Sequence, residues 1–453
     1  MAVLLRVLVA ITCLLTGVSP LFAEPTMLTL EQQRARAGQA LAEGDPALSV
    51  ALAERVLSYN PRDFQTLYVL SLAHSQLGQN EAAANVAQRA FRAGKTNNEK
   101  LQAARIVAAA KFRDGQFTRA EWWLRRGANY AKTPEDAAIV AQEFQAIRQQ
   151  NPLSMRFGFS IAPSNNINGG TEDTTFNLGD FQFIFDPSSL ALSGVEYSGD
   201  VELSYRLSQS PNHITQAGLY LYGRTFSLSS ASQATVPNVS GSDYALGLVE
   251  LSLSHRRLLF DGLGPSGISL HTGQVWYSGN PLWRYNKLSV SQDFPIGHTA
   301  SATIQASVED QTGLDIIQPD STVLVLQGSY ARRIANQDVI RLSIRTLLNN
   351  ATIATNTYTD QLATLSYELD KPVFGSSLSV SLGVGAKTYD EFSLSLDGRR
   401  DRYVTLGATA VFEQVSYFGF SPSWSLSTTL TDSNVTRFSM NEVTARFGIQ
   451  SKF

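Results

Sequence analysis

The amino-acid sequence predicts a two-part α + β protein, in which N-terminal helical repeats precede a C-terminal transmembrane antiparallel β-barrel of about 14 strands. Three observations support this prediction. Apolar residues recur every third and fourth position from Glu31 to Gln150, as in helices that bury one face. From Met155 onward they alternate with polar residues, as in half-buried strands. Only 17% of the 453 residues are charged, yet no run of about 18 apolar residues follows the N-terminus, which argues against transmembrane helices.

The N-terminal residues 1–23 are predicted to be a signal peptide. Arg6 precedes an apolar stretch from Val7 to Leu15, and Ala23 is a small residue of the kind that precedes a cleavage site. Cys13 is the only cysteine of the chain and lies in the apolar stretch. We therefore expect a secreted mature chain without a disulfide or a thiolate metal site.

The segment 24–150 is predicted to be a helical domain built from repeats. Three glycines fall in probable turns at intervals of 34 and 37 residues, and a small residue follows each of them five positions later: Gly44 and Ser49, Gly78 and Ala83, Gly115 and Ala120. The pattern resembles tetratricopeptide repeats, whose period is about 34 residues. It predicts three helical pairs and a final helix from about Pro134 to Gln149. A generic Ala-rich helical bundle is the alternative.

The segment 151–453 is predicted to be the barrel. Val201–Leu207 and Ser377–Lys387 alternate strictly between apolar and polar residues, and a soluble β-sandwich would carry more Lys and Glu on its outer strands. Strand-like runs begin near Met155, Gly194, His213, Ser242, Gly267, Trp283, Thr299, Ser321, Gln337, Thr357, Gly375, Asp401, Phe420 and Asn441. An even number of strands places both barrel termini on one side, predicted to be the periplasm, with the helical repeats. Connections after the odd strands are predicted to include long polar stretches, Ser164 to Ser193 and Asp310 to Asp320 among them, and several after the even strands are predicted to be tight, such as Pro295 to His298 and Ile334 to Asn336.

The last strand carries a specific signal. Val443, Ala445, Phe447, Ile449 and the terminal Phe453 share one parity, which is predicted to face lipid. A terminal Phe in this register is typical of barrels recognised by the outer-membrane assembly machinery. The opposite parity is predicted to face the lumen, and we assign it Arg446 and Lys452, together with Arg341 and Arg345 of an earlier strand.

The sequence offers no enzymatic signature. The five histidines are scattered, and no metal-ligand spacing, nucleophile motif or phosphate-binding Gly loop is present. The formal net charge of −3 and the absence of basic runs exclude nucleic acid as a favoured partner. We therefore predict no catalytic, cofactor or metal site.

Helical repeats of this kind suggest that a polypeptide is bound, because stacked helix pairs form a concave groove. The aromatic residues that we propose for a cargo or chaperone groove are Tyr68, Trp122, Trp123 and Tyr130. Packing between repeats is the alternative role for most of them. Trp122 and Trp123 are the exception, because adjacent helical positions point about 100° apart and both rings are hard to bury together.

Two segments resemble the surface lipoprotein assembly modifier family. One is the junction Asn151-Pro152 with the following Phe157–Asn168, and the other runs from Gly419 through Asp432-Ser433-Asn434-Val435 to Phe453. The first departs from the family at Ser164-Asn165-Asn166, where Asp-Ser-Asn is usual. The resemblance implies a translocator that delivers lipoproteins, or in some subfamilies soluble secreted proteins, from the periplasm to the cell surface.

That resemblance also implies partners and a passage. The repeats would engage cargo or a periplasmic chaperone, and the barrel, surrounded by membrane lipid, would provide the passage. Its lateral seam would lie between the first and last strands, at Phe157, Phe159, Ile161, Phe447, Ile449 and Phe453. The runner-up function is an exopolysaccharide export porin with a periplasmic repeat domain, and a plain diffusion porin is a third possibility. Neighbouring genes for lipoproteins or for glycan synthases would discriminate between the first two.

Overall fold

A computed structural model describes residues 28–178, 181–316, 318–415 and 419–451. The predicted signal peptide and the terminal Lys452 and Phe453 lie outside the described residues. The chain divides into two compact units between Val140 and Ala141. This division falls within the last long helix, upstream of the change in composition at Asn151.

The first unit is helical, as the sequence predicts. Helices α1 to α7 span Leu30–Ala42, Pro46–Tyr59, Phe64–Gln76, Asn80–Ala93, Asn97–Arg113, Phe117–Ala128 and Pro134–Gln150. The first six form three consecutive pairs, so the arrangement is tetratricopeptide-like and the predicted pair count and final helix are confirmed. Among the described helices, none combines the length and the hydropathy needed to cross a membrane.

Local chemistry explains where these helices begin and end. Thr29 and Thr96 form capping boxes at the N-termini of α1 and α5, in which each threonine and a residue three positions later satisfy free backbone N–H groups. The turns within the pairs use Gly44, Gly78 and Gly115 at φ values of 84°, 71° and 71°, where a Cβ atom would cause strain. The small residues after these turns, Ser49, Ala83 and Ala120, are fully buried. They allow the two helices of each pair to approach closely.

The second unit is a closed antiparallel barrel with fourteen strands in the described residues. Its strands are β1 Leu153–Ser164, β4 Gly194–Ser210, β5 His213–Leu228, β6 Leu246–Arg257, β7 Ser266–Tyr277, β8 Asn280–Ile296, β9 Ala300–Gly313, β10 Ser321–Arg333, β11 Val339–Ala351, β12 Tyr358–Glu368, β13 Ser377–Tyr389, β14 Arg399–Val411, β15 Phe420–Ser433 and β16 Met440–Ser451. Each strand pairs with its neighbour in sequence, and β1 closes the barrel against β16. The hairpin β2 Thr175–Leu178 and β3 Phe181–Ile184 lies in the first connection.

The outer face of the barrel is apolar. Large apolar side chains lie opposite one another across β6 to β11, and all of them are exposed: Leu253, Leu270, Leu288, Val308, Leu324 and Leu348. Such a continuous exposed row is unfavourable in water and is the pattern of a lipid-facing surface. The predicted transmembrane barrel is therefore confirmed, and the polar parity of each strand lines its interior.

The connections follow the predicted asymmetry only in part. Two long connections, 165–193 and 229–245, lie at one end and include the hairpin β2–β3 and the short helix α8 Ser230–Thr235. At the same end, β7 and β8 are joined by the tight turn Ser278-Gly279, with both residues at positive φ, so the expectation fails there. The opposite end carries connections such as Pro211-Asn212 and the turn 334–338.

Candidate functional site

The repeat unit carries a groove lined by the first helix of each pair. A cavity of about 770 Å³ is bounded by α1, α3 and α5. Its lining includes Glu31, Arg34 and Gly38 of α1, Phe64, Tyr68 and Val69 of α3, and Asn98, Glu99 and Gln102 of α5. Alternate helices of a repeat array face the same side, so residues distant in the sequence meet along one surface.

This groove combines an aromatic wall with polar groups of both signs. The rings of Phe64 and Tyr68 stack with their centroids 6.0 Å apart. Arg34 pairs with Asp63 at 3.4 Å, within reach of the helix start that Asp63 caps. The backbone N–H groups of Thr96 and Lys95 donate to Glu99 and lower its pKa. The groove therefore presents aromatic rings, hydrogen-bonding groups and charges of both signs on one surface.

The predicted groove residues do not share one surface. Tyr68 lines the groove, whereas Trp122 and Trp123 line a separate cavity between α4 and α6. Trp122 is 45% exposed and Trp123 only 9%, so one ring is buried and its neighbour is not. Tyr130 packs edge-on against Phe91, with ring centroids 5.6 Å apart. The second surface is thus an aromatic cluster, and it holds several basic residues that the sequence analysis did not single out.

The barrel interior is lined by polar and charged groups that satisfy one another. Glu250 of β6 accepts hydrogen bonds from Tyr285 at 2.6 Å and lies 2.9 Å from the His271 ring. Lys287 lies 3.5 Å from Glu250 and 3.8 Å from Glu309, bridging β6 to β9. These strands are adjacent in the sheet, so only the register brings the groups together. Across β6 to β9, these described charged groups therefore form one paired cluster on the interior parity.

The lumen-facing residues predicted from parity lie beside carboxylates in two cases. Arg446 pairs with Glu196 of β4 at 3.0 Å, across β1. Arg345 pairs with Asp360 of β12 at 2.8 Å. Arg341 shares the parity of Arg345 and is exposed near the start of β11, without a described ion pair. Lys452 lies outside the described residues.

The first and last strands bring the predicted seam residues together. Phe159 lies opposite Ile449, and Ile161 lies opposite Phe447. All four are exposed on the outer face of the barrel. Phe157 shares their parity on β1 but has no partner in the described β1–β16 register. The register places four of the six predicted residues in two cross-strand pairs, and Phe453 lies outside the described residues.

This seam is the shortest strand pairing in the described barrel. Its register contains five residue pairs, whereas the β12–β13 register contains ten and every other barrel pairing more. The register skips Ala162 and Pro163. Pro163 has no backbone N–H, so it cannot donate a hydrogen bond in the sheet. Within the described residues, this pairing is therefore short and interrupted at a proline.

The first connection is tied down by asparagines of the motif that begins at Ser164-Asn165-Asn166. Asn166 exchanges hydrogen bonds of 2.8 Å with the backbone of Gly170 in both directions. Asn168 donates to the carbonyl of Leu190 at 2.8 Å and accepts from the N–H of Leu192 at 2.9 Å. The two long connections share a small apolar core formed by Ile167, Leu192, Phe226 and Val236. The motif therefore has a structural role at the mouth of the barrel.

One contact was not foreseen from the sequence. His213 and His255 are separated by 42 positions yet stack with ring centroids 5.7 Å apart, because β5 pairs with β6. A second histidine on a neighbouring strand is not enough for a metal site. Within the described ranges, no group of three or more metal-ligating side chains exists.

Comparisons with known proteins show likeness in fold. No protein-family model and no curated protein matches the chain. Among solved structures, it is similar to the Yersinia enterocolitica type III secretion translocator chaperone SycD, with 18% identity over 27% of this chain and 93% of that chain and a TM-score of 0.25. It is also similar to Pseudomonas aeruginosa OccD3 (OpdP), with 9% identity over 66% of this chain and 91% of that chain and a TM-score of 0.33. At these identities and TM-scores, the comparisons carry no conclusion about binding or transport.

Proposed function

We propose that this protein is a translocator that delivers specific polypeptides from the periplasm to the cell surface across the outer membrane. The observation that carries the proposal is that a repeat domain with an aromatic, polar groove and a membrane barrel with a charged interior occur in one chain. A channel for passive diffusion would not require a repeat domain with such a groove. Inside the barrel, the described carboxylates Glu196, Glu250 and Asp360 pair with neighbouring cations.

The cargo that we propose is a lipoprotein or a secreted binding protein. This choice rests on the resemblance of the segments around Asn165 and Asn434 to the surface lipoprotein assembly modifier family. The helical repeats would lie in the periplasm and bind the cargo or a chaperone that carries it. Binding to the repeats would raise the local concentration of cargo near the barrel, so that entry into the barrel would not depend on unaided collision.

We further propose that cargo leaves through the β1–β16 seam. The proposal is supported by the five residue pairs and the interruption at Pro163, which make this the shortest register among the described strand pairings. A lipid anchor passing through the seam would remain in contact with the apolar outer surface around Phe159 and Phe447. The polar part of the cargo would stay in the hydrated interior.

The test compares surface display of a lipoprotein encoded by a neighbouring gene in cells that carry different forms of this protein. Deletion of residues 29–149, with the leader kept, should leave a folded barrel and reduce display strongly. Tyr68→Ala should also reduce display, because it removes one ring of the groove. The matched control is Tyr59→Ala, since Tyr59 is a more exposed tyrosine of the same domain that does not line the groove.

Equal display by all these forms would contradict a recruiting role for the groove. Display that is independent of the whole protein, combined with a loss of exported polysaccharide when its gene is deleted, would overturn the translocator and favour the export porin. Heat-modifiable mobility of the barrel in gel electrophoresis, measured on each variant, separates a loss of function from a loss of folding.

A further inference from the structure

A second cavity of the repeat unit lies away from the groove. It has a volume of about 460 Å³ and lies between α4 and α6, beside the end of α5. Its lining consists of Gln88, Phe91, Arg92, Lys111, Arg119, Trp122, Trp123 and Arg126. Four of these eight side chains are cationic and none is acidic. The cavity therefore presents concentrated positive charge next to aromatic rings.

Arg126 is held in place by the rings around it. Its guanidinium carbon lies 4.5 Å from the centroid of Phe91, 5.1 Å from that of Trp123 and 5.4 Å from that of Trp122. Stacking on aromatic faces fixes the plane of a guanidinium while leaving its N–H donors available. The rings therefore orient Arg126 as a donor for an anion before any ligand binds.

Lys111 is a largely buried residue whose positively charged side chain lines the cavity. Its side chain belongs to a residue that is only 9% exposed, and it makes no hydrogen bond or ion pair with another residue of the described chain. The nearby Glu121 lies outside the cavity lining and pairs with Arg125 at 4.0 Å. An anionic group from a ligand that enters the cavity would supply the counter-charge that the described chain does not provide at this ammonium group.

We propose that this cavity binds an acidic segment of a polypeptide, with a carboxylate at Lys111 and Arg126 and an adjacent apolar side chain on the exposed ring of Trp122. A carboxylate on a flexible side chain can enter the concave site and reach the Lys111 ammonium group in its lining. The head groups of a membrane surface are less suited to this, because the site is a pocket and Trp122 is its only large exposed apolar residue among the lining groups. The inference rests on the proposed function only in that the ligand is a polypeptide.

The test measures peptide binding to the full mature chain in detergent. The probe is the fluorescein-labelled peptide Gly-Glu-Asp-Phe-Glu-Asp-Gly, and its control is the same peptide with Gln and Asn in place of Glu and Asp. Fluorescence polarisation should show saturable binding of the acidic peptide alone. Lys111→Met should weaken its affinity about tenfold or more, since a charge-assisted hydrogen bond is lost in a desolvated site.

Two further variants keep the test decisive. Lys132→Met is the matched control, because Lys132 is an exposed lysine of the same unit outside the cavity. This variant should bind the acidic peptide with the affinity of the unaltered protein. Arg119→Gln, on the rim of the cavity, should weaken binding even if Lys111→Met fails to fold. Trp122→Ala should weaken binding of the acidic peptide and leave the circular dichroism of the helices unchanged.

Three results would overturn the proposal. They are equal binding of the acidic and the neutral peptide, binding that neither Lys111→Met nor Arg119→Gln weakens, and preferential binding of the protein to phosphatidylglycerol vesicles through these same residues. The measurement does not involve surface display. Peptide binding with no display of cargo would contradict the translocator alone, and display without peptide binding would contradict this site alone.

Discussion

At the scale of single residues, the side chain of Glu99 both caps a helix and lines the groove. It lies at the start of α5, where its carboxylate accepts hydrogen bonds from the backbone N–H groups of Lys95 at 2.6 Å and Thr96 at 3.0 Å. These bonds favour the charged form and lower the pKa of Glu99 below its ordinary value of 4.5. The same residue lines the groove beside Gln102.

The capping role of Glu99 leads to a prediction with a defined pH dependence. Because its pKa is lower in the folded state, its contribution is complete above the ordinary pKa and is lost as the pH falls through the folded value. Glu99→Ala should therefore lower the free energy of unfolding of the helical unit by about 1 kcal/mol near neutral pH. Denaturant titrations followed by far-UV circular dichroism should show this difference shrinking below about pH 4.5.

Glu81→Ala provides the control for this measurement. Glu81 occupies the first turn of α4, which has no side-chain capping hydrogen bond. Its removal should change stability less than that of Glu99. A loss for Glu99→Ala that stays constant down to pH 3 would show that the carboxylate charge has no part in the cap.

At the scale of elements, the pairing of β1 with β16 differs from the other pairings of the barrel. Beyond Pro163, the side chain of Asn165 takes over part of the ladder, since its Oδ1 accepts from the N–H of Val443 at 2.8 Å and its Nδ2 donates to the carbonyl of Asn441 at 3.1 Å. Together with the backbone hydrogen bond from the N–H of Asn165 to the carbonyl of Val443 at 3.4 Å, these side-chain bonds close the end of the seam near the mouth.

A reversible cross-link tests whether the seam opens. Ser160 lies opposite Gly448, and a Cβ atom at position 448 would lie 3.4 Å from that of Ser160, close to the separation in a disulfide. The pair Ser160→Cys with Gly448→Cys should form a disulfide, stop display of cargo when oxidised and restore it when reduced. Gel mobility under reducing and non-reducing conditions reports the cross-link.

The matched control joins two strands that we expect to stay paired. Ser381 of β13 lies opposite Gly407 of β14, in the same serine–glycine arrangement on the interior parity. Ser381→Cys with Gly407→Cys should cross-link without affecting display. Full display by the oxidised 160–448 variant would contradict lateral opening of the seam. It would remain compatible with passage of the cargo through the lumen.

At the scale of the whole molecule, the number of strands determines topology. With fourteen strands in the described barrel, β1 begins and β16 ends at the same end, which is also the end of the turn 334–338. The long connections 165–193 and 229–245 lie at the other end. We expect the long connections to face the outside and both barrel termini, with the helical unit that precedes β1, to face the periplasm.

Cysteine labelling tests this orientation, since the mature chain is predicted to have no cysteine of its own. Glu172→Cys and Ile316→Cys, at exposed positions of connections on the long-loop end, should react with an impermeant reagent on intact cells. Asn336→Cys, exposed in the opposite turn, should react only after the outer membrane is opened. Thr171 is unsuitable as a probe because it is fully buried. Labelling of position 336 alone on intact cells would show that the barrel has the opposite orientation in the membrane.

Much of the fold follows from the sequence by itself, because its signals are local. A helical or strand period, a glycine at positive φ such as Gly78 and a parity such as that of Phe447 and Ile449 are set by residues a few positions apart. The predicted strand starts therefore lie within a few residues of the observed ones, as at Gly194 and Ser321. The class of protein, helical repeats followed by a barrel, therefore follows from local patterns in the sequence.

Only the tertiary structure decided which residues meet. Tyr68 and Trp122 look alike in the sequence, yet alternate helices face opposite sides and place them on different surfaces. The positive cavity needs Lys111 at the end of one helix and Arg126 on the next, and His213 reaches His255 only through strand register. Helix packing and register are settled by the burial of surfaces far apart in the chain, so no window of the sequence contains the information that brings these side chains together.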